Sequence, residues 1–474
     1  MTLRILTQLN FSAGENPEAD SGLRFTGSLI REIQAASNRY FFYVLAPEST
    51  FQVLEKTLDC PRVHIIRTQT PPRLHGGDFA FDPVGLYRDF DFRKFDIDLV
   101  FLNQPEITAP FLNFLNRQMF HLVPSFTYVH WFDTRRPSTP KHQTHQPALL
   151  ASLVGMAVST MTACNSEYGR KAIMKFADNC LSAELAIALD RKLKVMPPLF
   201  SARDVLLGKK HAEKDSSVHL WKTLLINHRV LKYTGVRQVL EKILPRLWSE
   251  RQDFRVIITN PSRARLPRQM VDVPWALNGT LNEDDYFSRL WSADIVLAPH
   301  RATHWSISTL EAVGSGCLPI CNQESFFFEM FAPVLKQMAP CHRELFESYC
   351  LFFRGNLISK INRVLDDLEK LQEFRADLAL QTRSAYDWTL RVSDWTDTFE
   401  ALYATVPRMP ETNPTMEKIL RLLDTHGEIT KAELLRLLRW SPKYRTLSWT
   451  AFRKTLREYT IDEAESAELR LRNL

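Results

Sequence analysis

The residue types that could do chemistry lie in four polar segments, and each segment follows a short apolar run that is typical of a β-strand. The most informative segment is 298–320, where a polar loop leads into a helix-like stretch with a single glutamate, Glu311. Open parallel sheets bind ligands at the carboxyl ends of their strands, so we expect a ligand at this loop. Its polar side chains include Thr303, His304, Ser306, Ser308 and Thr309.

Two further segments favour an anionic ligand. Arg229 and Lys232 follow one of the apolar runs, and a buried diphosphate needs such charges because an unpaired buried charge is costly. Gly22 lies where a loop leads into a helix, and the free amides and dipole at a helix start suit an anion. The alternative there is an ordinary loop with a helix cap at Ser21 or Thr26.

The fourth segment begins with His130, directly after the apolar run 126–129. A histidine at a strand end can exchange a proton or hold a substrate hydroxyl, because its ordinary pKa lies near neutrality. The alternative is a buried imidazole whose hydrogen bonds go to the backbone. His142 and His145 have a metal-like spacing, but no acidic or cysteine partner lies nearby, so we predict no metal site.

Parallel sheets must position these segments, because short apolar runs alternate with amphipathic, helix-like segments. Eleven runs are too many for one such sheet, so we predict an α/β protein with two Rossmann-like domains, 1–200 and 201–385. The consecutive prolines Pro197 and Pro198 mark the boundary, since proline stops helices and strand ladders. An apolar stripe in residues 386–406 predicts a helix that lies across another domain. The eleven runs are residues 4–9, 41–45, 63–66, 97–102, 126–130, 160–164, 193–196, 223–227, 255–259, 294–298 and 317–321.

The end of the chain has a different character. Residues 407–414 contain three prolines among polar residues and are typical of a linker. Residues 415–474 predict a small helical domain with the outline of a helix-turn-helix or winged-helix module. The alternative for its basic face is a solvated or protein-binding surface. The residues that we expect to contact nucleic acid are Arg436, Arg439, Lys443, Arg445, Arg453, Lys454 and Arg457.

Composition narrows the class of protein further. The 474 residues are 45% hydrophobic and 24% charged, with a net charge of +6, which is ordinary for a globular chain. The longest apolar runs fall well short of the roughly 20 residues that a membrane-spanning helix requires, and the start lacks a secretory signal. Seven scattered cysteines favour free thiols over disulfides. We therefore predict a cytoplasmic protein that does not insert into membranes.

The motif S-x-x-x-L-E-A-x-x-x-G-x-x-P-I, from Ser306 to Ile320, resembles the donor half of retaining GT-B glycosyltransferases. Within that group, three motifs together are similar to the tRNA-queuosine mannosyltransferase-like branch: Asn227-His228-Arg229, Val195-Met196-Pro197-Pro198 and Tyr128-Val129-His130. The chain also resembles phage DNA-base glycosyltransferases. The resemblance covers roughly residues 1–406. It implies an acceptor-side first domain and a second domain that binds a nucleotide sugar.

The resemblance also implies roles for single residues. Glu311 would bind the ribose hydroxyls, Arg229 the diphosphate, and His130 the transferring sugar or its developing charge. Two positions depart from the family: Thr303 replaces a glutamate eight residues before Glu311, and the nearest lysine to the expected position is Lys232. The implied catalytic set is His130, Thr303 and His304. The implied donor-binding set is Gly22, Arg229, Lys232, Ser306, Ser308, Thr309 and Glu311.

Together, the sugar-transferring body and the basic tail predict transfer of a hexose from a UDP-sugar or GDP-sugar to a hydroxyl on a nucleic-acid base. The expected acceptor is a 5-hydroxymethylpyrimidine in phage-type DNA, and no metal is expected. One alternative acceptor is a tRNA queuosine-type base or a glycan. Another alternative is a non-catalytic DNA-binding protein on a degenerate scaffold, which the missing carboxylate at Thr303 permits.

Overall fold

The computed structural model of the protein describes most of the chain up to residue 405. The predicted linker 407–414, the basic tail 415–474, Arg229, Lys232 and the pair His142 and His145 lie outside the described residues. The described ranges are 2–9, 21–68, 92, 95–119, 122–130, 132, 146–212, 221–228, 230, 234–259, 266–270, 273–279, 283–300, 303–323, 326–353 and 355–405.

The first sheet is parallel throughout, and within the described residues it has seven strands in the order β3-β2-β1-β4-β5-β6-β7. Its central strands β4 and β5 are buried at every position, as expected for a parallel sheet with helices on both faces. The strands are β1 (Leu3–Gln8), β2 (Tyr40–Pro47), β3 (Val63–Thr68), β4 (Leu99–Leu102), β5 (Ser125–Val129), β6 (Met161–Cys164) and β7 (Leu193–Val195). The helices are α1 (Ser21–Ala36), α2 (Glu48–Thr57), α3 (Pro105–Met119), α4 (Gln146–Val158), α5 (Glu167–Cys180) and α6 (Ala183–Lys192).

The second sheet is also parallel, with six strands within the described residues in the order β10-β9-β8-β11-β12-β13. The strands are β8 (Lys222–Ile226), β9 (Phe254–Ile258), β10 (Ala276–Asn278), β11 (Ile295–Ala298), β12 (Leu318–Asn322) and β13 (Leu351–Phe352). The helices are α7 (Ala202–Ala212), α8 (Val236–Gln238), α9 (Leu244–Glu250), α10 (Glu283–Trp291), α11 (Ile307–Gly314), α12 (Phe327–Gln337), α13 (Pro340–Leu345), α14 (Leu357–Asp366), α15 (Gln372–Tyr386) and α16 (Trp388–Ala404). The π-helical turn Val239–Ile243 joins α8 to α9.

The chain passes between the two domains at two places that lie side by side. The amide of Phe200 donates to the carbonyl of Tyr386 at 3.0 Å, and the amide of Trp388 donates to the carbonyl of Phe200 at 3.1 Å. Helix α16 then returns to the first domain, where the Phe399 ring lies 5.6 Å from Phe101 and 5.9 Å from Phe126. Helix α16 therefore completes the core of the first domain.

The predicted α/β fold with two Rossmann-like domains is confirmed. Each of the eleven predicted strands overlaps a strand of the structure, and the short strands β10 and β13 were not predicted. The prediction of Thr26 as a helix cap was wrong, because Thr26 lies inside α1. Its hydroxyl there accepts a hydrogen bond from the side-chain amide of Asn103 at 2.7 Å. All seven cysteines are free thiols. The described residues contain no helix whose length and apolar character would let it span a bilayer.

Candidate active site between the two sheets

The domains contact each other at the carboxyl ends of their strands. Ser166 caps the start of α5 in the first domain, and its hydroxyl also donates to the carbonyl of His304 in the second domain at 2.8 Å. The Glu329 carboxylate on α12 accepts hydrogen bonds from the amides of Glu167 and Tyr168. A carboxylate at a helix start is favoured by the helix dipole. These contacts join the two domains at the carboxyl ends of their sheets.

Helix α11 and its cap carry four of the predicted donor-binding residues, Ser306, Ser308, Thr309 and Glu311, beside this contact. The helix begins after Ser306 because the Ser306 hydroxyl accepts from the amide of Thr309 at 3.2 Å, a regular helix cap. The Ser306 hydroxyl also lies 2.7 Å from the Thr309 hydroxyl and 3.4 Å from the Ser308 hydroxyl. Three hydroxyl groups therefore cluster at the positive end of the α11 dipole, a geometry that suits an anion.

Glu311 is buried on α11 and bonded from both domains. The Tyr286 hydroxyl on α10 donates to Glu311 Oε2 at 2.7 Å, and the Arg24 guanidinium on α1 donates to Glu311 Oε1 at 3.3 Å. The Arg24 guanidinium also lies over the Tyr286 ring, 5.7 Å from its centroid. Burial and then the neighbouring Glu311 charge raise the pKa of Tyr286, so the phenol remains a hydrogen-bond donor. The predicted ribose-binding carboxylate thus lies at the contact between the domains.

Two buried histidines lie beneath the start of α11. His228, at the end of β8, approaches the Ser308 hydroxyl at 2.9 Å through Nδ1 and the Thr309 hydroxyl at 3.4 Å through Nε2. Its ring packs edge-on against His300, with 4.0 Å between the centroids. Burial lowers the pKa of both imidazoles, that of His300 to about 3. Both rings are therefore neutral near pH 7, which leaves His228 able to accept as well as donate hydrogen bonds.

A glycine brings the loop after β8 against the loop after β11. Gly235 has a φ of 75°, in the left-handed region, and a Cβ at this position would lie 2.6 Å from the carbonyl oxygen of Pro299. Only glycine combines that backbone conformation with so close an approach. His228 and Gly235 therefore both lie close to the loop that follows β11.

The first domain contributes His130 at the end of β5. Its ring stacks on Phe25 of α1 at 5.8 Å between centroids, and its carbonyl accepts from the Asn165 amide at 3.0 Å. Phe25 follows Arg24 in the sequence, so one turn of α1 contacts both the predicted catalytic histidine and Glu311. Gly22, one turn earlier, accepts from the Asn103 amide through its carbonyl at 2.9 Å.

Thr303 and His304 lie in the loop between β11 and α11. The Thr303 hydroxyl oxygen is buried and has no hydrogen-bond partner within the described part of the chain. The His304 side chain is buried, and its ring lies 5.8 Å from the Tyr168 ring of the first domain. His304 therefore forms part of the contact between the domains.

Sequence reasoning missed Arg24 and Tyr286 and assigned no role to His228 or His300. The two imidazoles stand at the ends of predicted strands, so the strand pattern carried a signal for them. Tyr286 lies inside an amphipathic helix, and its sequence position gave no signal of a functional role, because that role comes from its contact with Glu311.

Two parallel-sheet domains that meet at the carboxyl ends of their strands, with a helix after the second domain returning to the first, define the GT-B class of fold. Among solved structures with this arrangement, HepE from Anabaena in complex with UDP is similar to the chain, with a TM-score of 0.57 and 13% identity over 85% of this chain and 100% of that chain. A glycosyltransferase from Rickettsia africae has a TM-score of 0.59 at 12% identity, over 85% of this chain and 100% of that chain. Sucrose-phosphate synthase from Thermosynechococcus elongatus has a TM-score of 0.61 at 10% identity, over 85% of this chain and 100% of that chain. No family model and no curated protein sequence matches the chain.

Proposed function

We propose that the protein is a glycosyltransferase that takes a hexose from a UDP-sugar or GDP-sugar. The observation that carries this proposal is the buried Glu311 carboxylate at the contact between two GT-B domains, on a helix whose start presents three hydroxyl groups. The similar fold of HepE, which was solved in complex with UDP, supports a nucleotide as ligand. A carboxylate accepts hydrogen bonds from vicinal hydroxyls, and a helix start binds phosphate.

In the proposed reaction, the bond between the anomeric carbon and the diphosphate oxygen breaks, and the diphosphate keeps the electron pair. The acceptor oxygen forms the new bond to the anomeric carbon and gives its proton to an oxygen of the departing diphosphate. Glu311 binds the ribose, and the start of α11 with Ser306, Ser308 and Thr309 faces the diphosphate. Arg229 and Lys232 add positive charge there. Charge stabilisation of this kind lowers the barrier without a metal, so the proposed enzyme uses none.

His130 is the proposed contact to the transferring sugar, with Thr303 and His304 on the opposite side of the cleft. We propose a retaining enzyme of the queuosine-mannosyltransferase-like branch, on the motifs around Glu311, His228 and His130. Because Thr303 has no carboxylate, it can offer the sugar only a neutral hydroxyl. The proposed site therefore relies on His130 for sugar contact.

For the acceptor, we propose a hydroxyl on a nucleic-acid base, specifically a 5-hydroxymethylpyrimidine in DNA. The support is the basic sequence between Lys431 and Arg457, where eight basic residues accompany one acidic residue, Glu433. Phosphate contacts from such residues make binding dependent on salt. A tRNA queuosine-type base is the alternative acceptor, with the same basic segment as a docking module. In duplex DNA the target base must leave the helix to reach the cleft.

The test is to incubate the full chain with UDP-sugars and GDP-sugars and with hydroxymethylated DNA, unmodified DNA or queuosine-containing tRNA. Nucleoside mass spectrometry then detects any hexose added. We expect addition to hydroxymethylated DNA, and we expect deletion of residues 415–474 to reduce it and to remove its salt dependence. Addition to tRNA alone would replace the DNA acceptor. DNA binding without transfer from any donor would reject the proposed activity.

A further inference from the structure

We propose that Tyr286 is a positioning residue of the donor site: its phenol fixes one oxygen of Glu311 so that the other oxygen is presented to the ribose of the nucleotide. This inference rests on the proposed function. It concerns how the carboxylate of Glu311 is oriented and which hydroxyl groups it can select.

The hydrogen bonds from Tyr286 and Arg24 to Glu311 differ in length and in the domain of the donor. Oε2 accepts from Tyr286 at 2.7 Å, and this donor belongs to the same domain as Glu311. Oε1 accepts from Arg24 at 3.3 Å, and this donor comes from the opposite domain, with 39% of its side chain exposed. The shorter bond lies within the second domain, whereas the longer one joins the two domains. The oxygen that a ligand can take over is therefore Oε1.

Tyr286 also interacts with the segment that follows β8. Its hydroxyl interacts with the Asn227 side chain at the end of β8, and the Asn227 amide also donates to the carbonyl of Ser308 on α11. The chain of contacts Ser308, Asn227, Tyr286 and Glu311 thus connects the start of α11 with its acidic residue. This network keeps Glu311 Oε1 in one orientation relative to the three hydroxyls at the helix start.

The ligand that this arrangement selects is a nucleotide whose ribose has free hydroxyls. A fixed carboxylate oxygen accepts from such a hydroxyl, whereas a deoxyribose leaves the buried oxygen with one partner fewer. Hydrogen bonds to a charged group are worth about ten- to a hundredfold in binding. A carboxylate that can rotate loses part of this selectivity, because it no longer holds one oxygen toward the sugar.

The test is isothermal titration of UDP, 2′-deoxy-UDP, GDP and 2′-deoxy-GDP into the full chain and into Tyr286→Phe. Tyr349→Phe is the matched control, because the Tyr349 hydroxyl also bonds a carboxylate of the second domain, that of Asp367 at 3.0 Å, away from the cleft. We expect the unaltered chain to prefer the ribonucleotide by about tenfold or more. Tyr286→Phe is expected to reduce this preference at least threefold while the deoxynucleotide affinity stays within twofold. Tyr349→Phe is expected to keep the preference of the unaltered chain for the ribonucleotide.

Three results are informative in different ways. Equal loss of affinity for both nucleotides in Tyr286→Phe, or an unchanged preference, would overturn the positioning role and leave the proposed function standing. Loss of preference confined to Tyr286→Phe would support it. If neither nucleotide bound to the unaltered chain, the proposed function itself would fail, and the role of Tyr286 with it.

Discussion

The buried histidine pair beneath α11 predicts a specific loss of stability in acid. His300 is 4% exposed, and its ring packs against His228 and Phe327. Burial lowers its pKa from 6.5 to about 3. The folded protein therefore holds His300 neutral over a range of pH in which the unfolded chain takes up a proton.

The difference in His300 pKa between the folded and unfolded states makes the free energy of unfolding depend on pH. Above pH 6.5 the imidazole is neutral in both states and contributes nothing. As the pH falls below 6.5, only the unfolded state is protonated, and the free energy of unfolding decreases until the pH reaches the folded pKa near 3. Between pH 7 and pH 5 the loss is about 2 kcal/mol from His300 alone. His228 acts in the same direction, because burial also lowers its pKa.

The assay is urea denaturation at pH 7 and pH 5 of the unaltered chain, His300→Gln and the control His211→Gln, an exposed histidine. The readout is the change in the free energy of unfolding between the two pH values, so any effect of the substitution at pH 7 cancels. Between pH 7 and pH 5, we expect the free energy of unfolding of His300→Gln to fall by about 2 kcal/mol less than that of the unaltered chain. We expect His211→Gln to show the same decrease as the unaltered chain. Equal losses in all three proteins would refute the neutral buried imidazole.

Three further predictions follow from single contacts. Arg24→Gln removes a partner that competes with the ligand for Glu311, so we expect it to tighten UDP binding about two- to fivefold in titration calorimetry; weaker binding would contradict this competition. Gly235→Ala is expected to destabilise the second domain by about 1–3 kcal/mol in thermal melts. Gly316→Ala is expected to cost less: Gly235 and Gly316 both have a positive φ, but only a Cβ at Gly235 would lie 2.6 Å from a backbone carbonyl oxygen. Phe399→Ala removes a fully buried ring of α16 and is expected to cost about 3–5 kcal/mol in urea denaturation; a cost below 1 kcal/mol would show that α16 does not complete the core.

The sheets were predictable because their strands are short apolar runs separated by helix-like segments. Strand β13 was missed because it has only two residues, and strand β10 was missed because its three residues, Ala276–Asn278, are only partly buried or exposed and form no apolar run. The end of α11 was also predictable, since Gly316 has a φ of 98° where the chain turns toward β12.

The candidate site was predictable only in part. Glu311 and the hydroxyls at the start of α11 follow from a motif within one segment of sequence. The contact between Arg24 and Glu311 joins residues 287 positions apart, and it depends on how the two domains face each other. Tyr286 likewise lies in another helix, so no local pattern links it to the carboxylate that it bonds. Contacts of this kind require the folded chain.

The most direct test of the account is binding of nucleotide sugars to Glu311. Titration of UDP-hexose and GDP-hexose should give saturable binding to the unaltered chain and to Glu250→Ala, whose carboxylate pairs with Arg246 on the surface. Glu311→Ala is expected to lower the affinity for the bound donor about tenfold or more, since a hydrogen bond to a charged group is lost. Equal affinity in Glu311→Ala and Glu250→Ala, or no binding of either donor to the unaltered chain, would contradict the account.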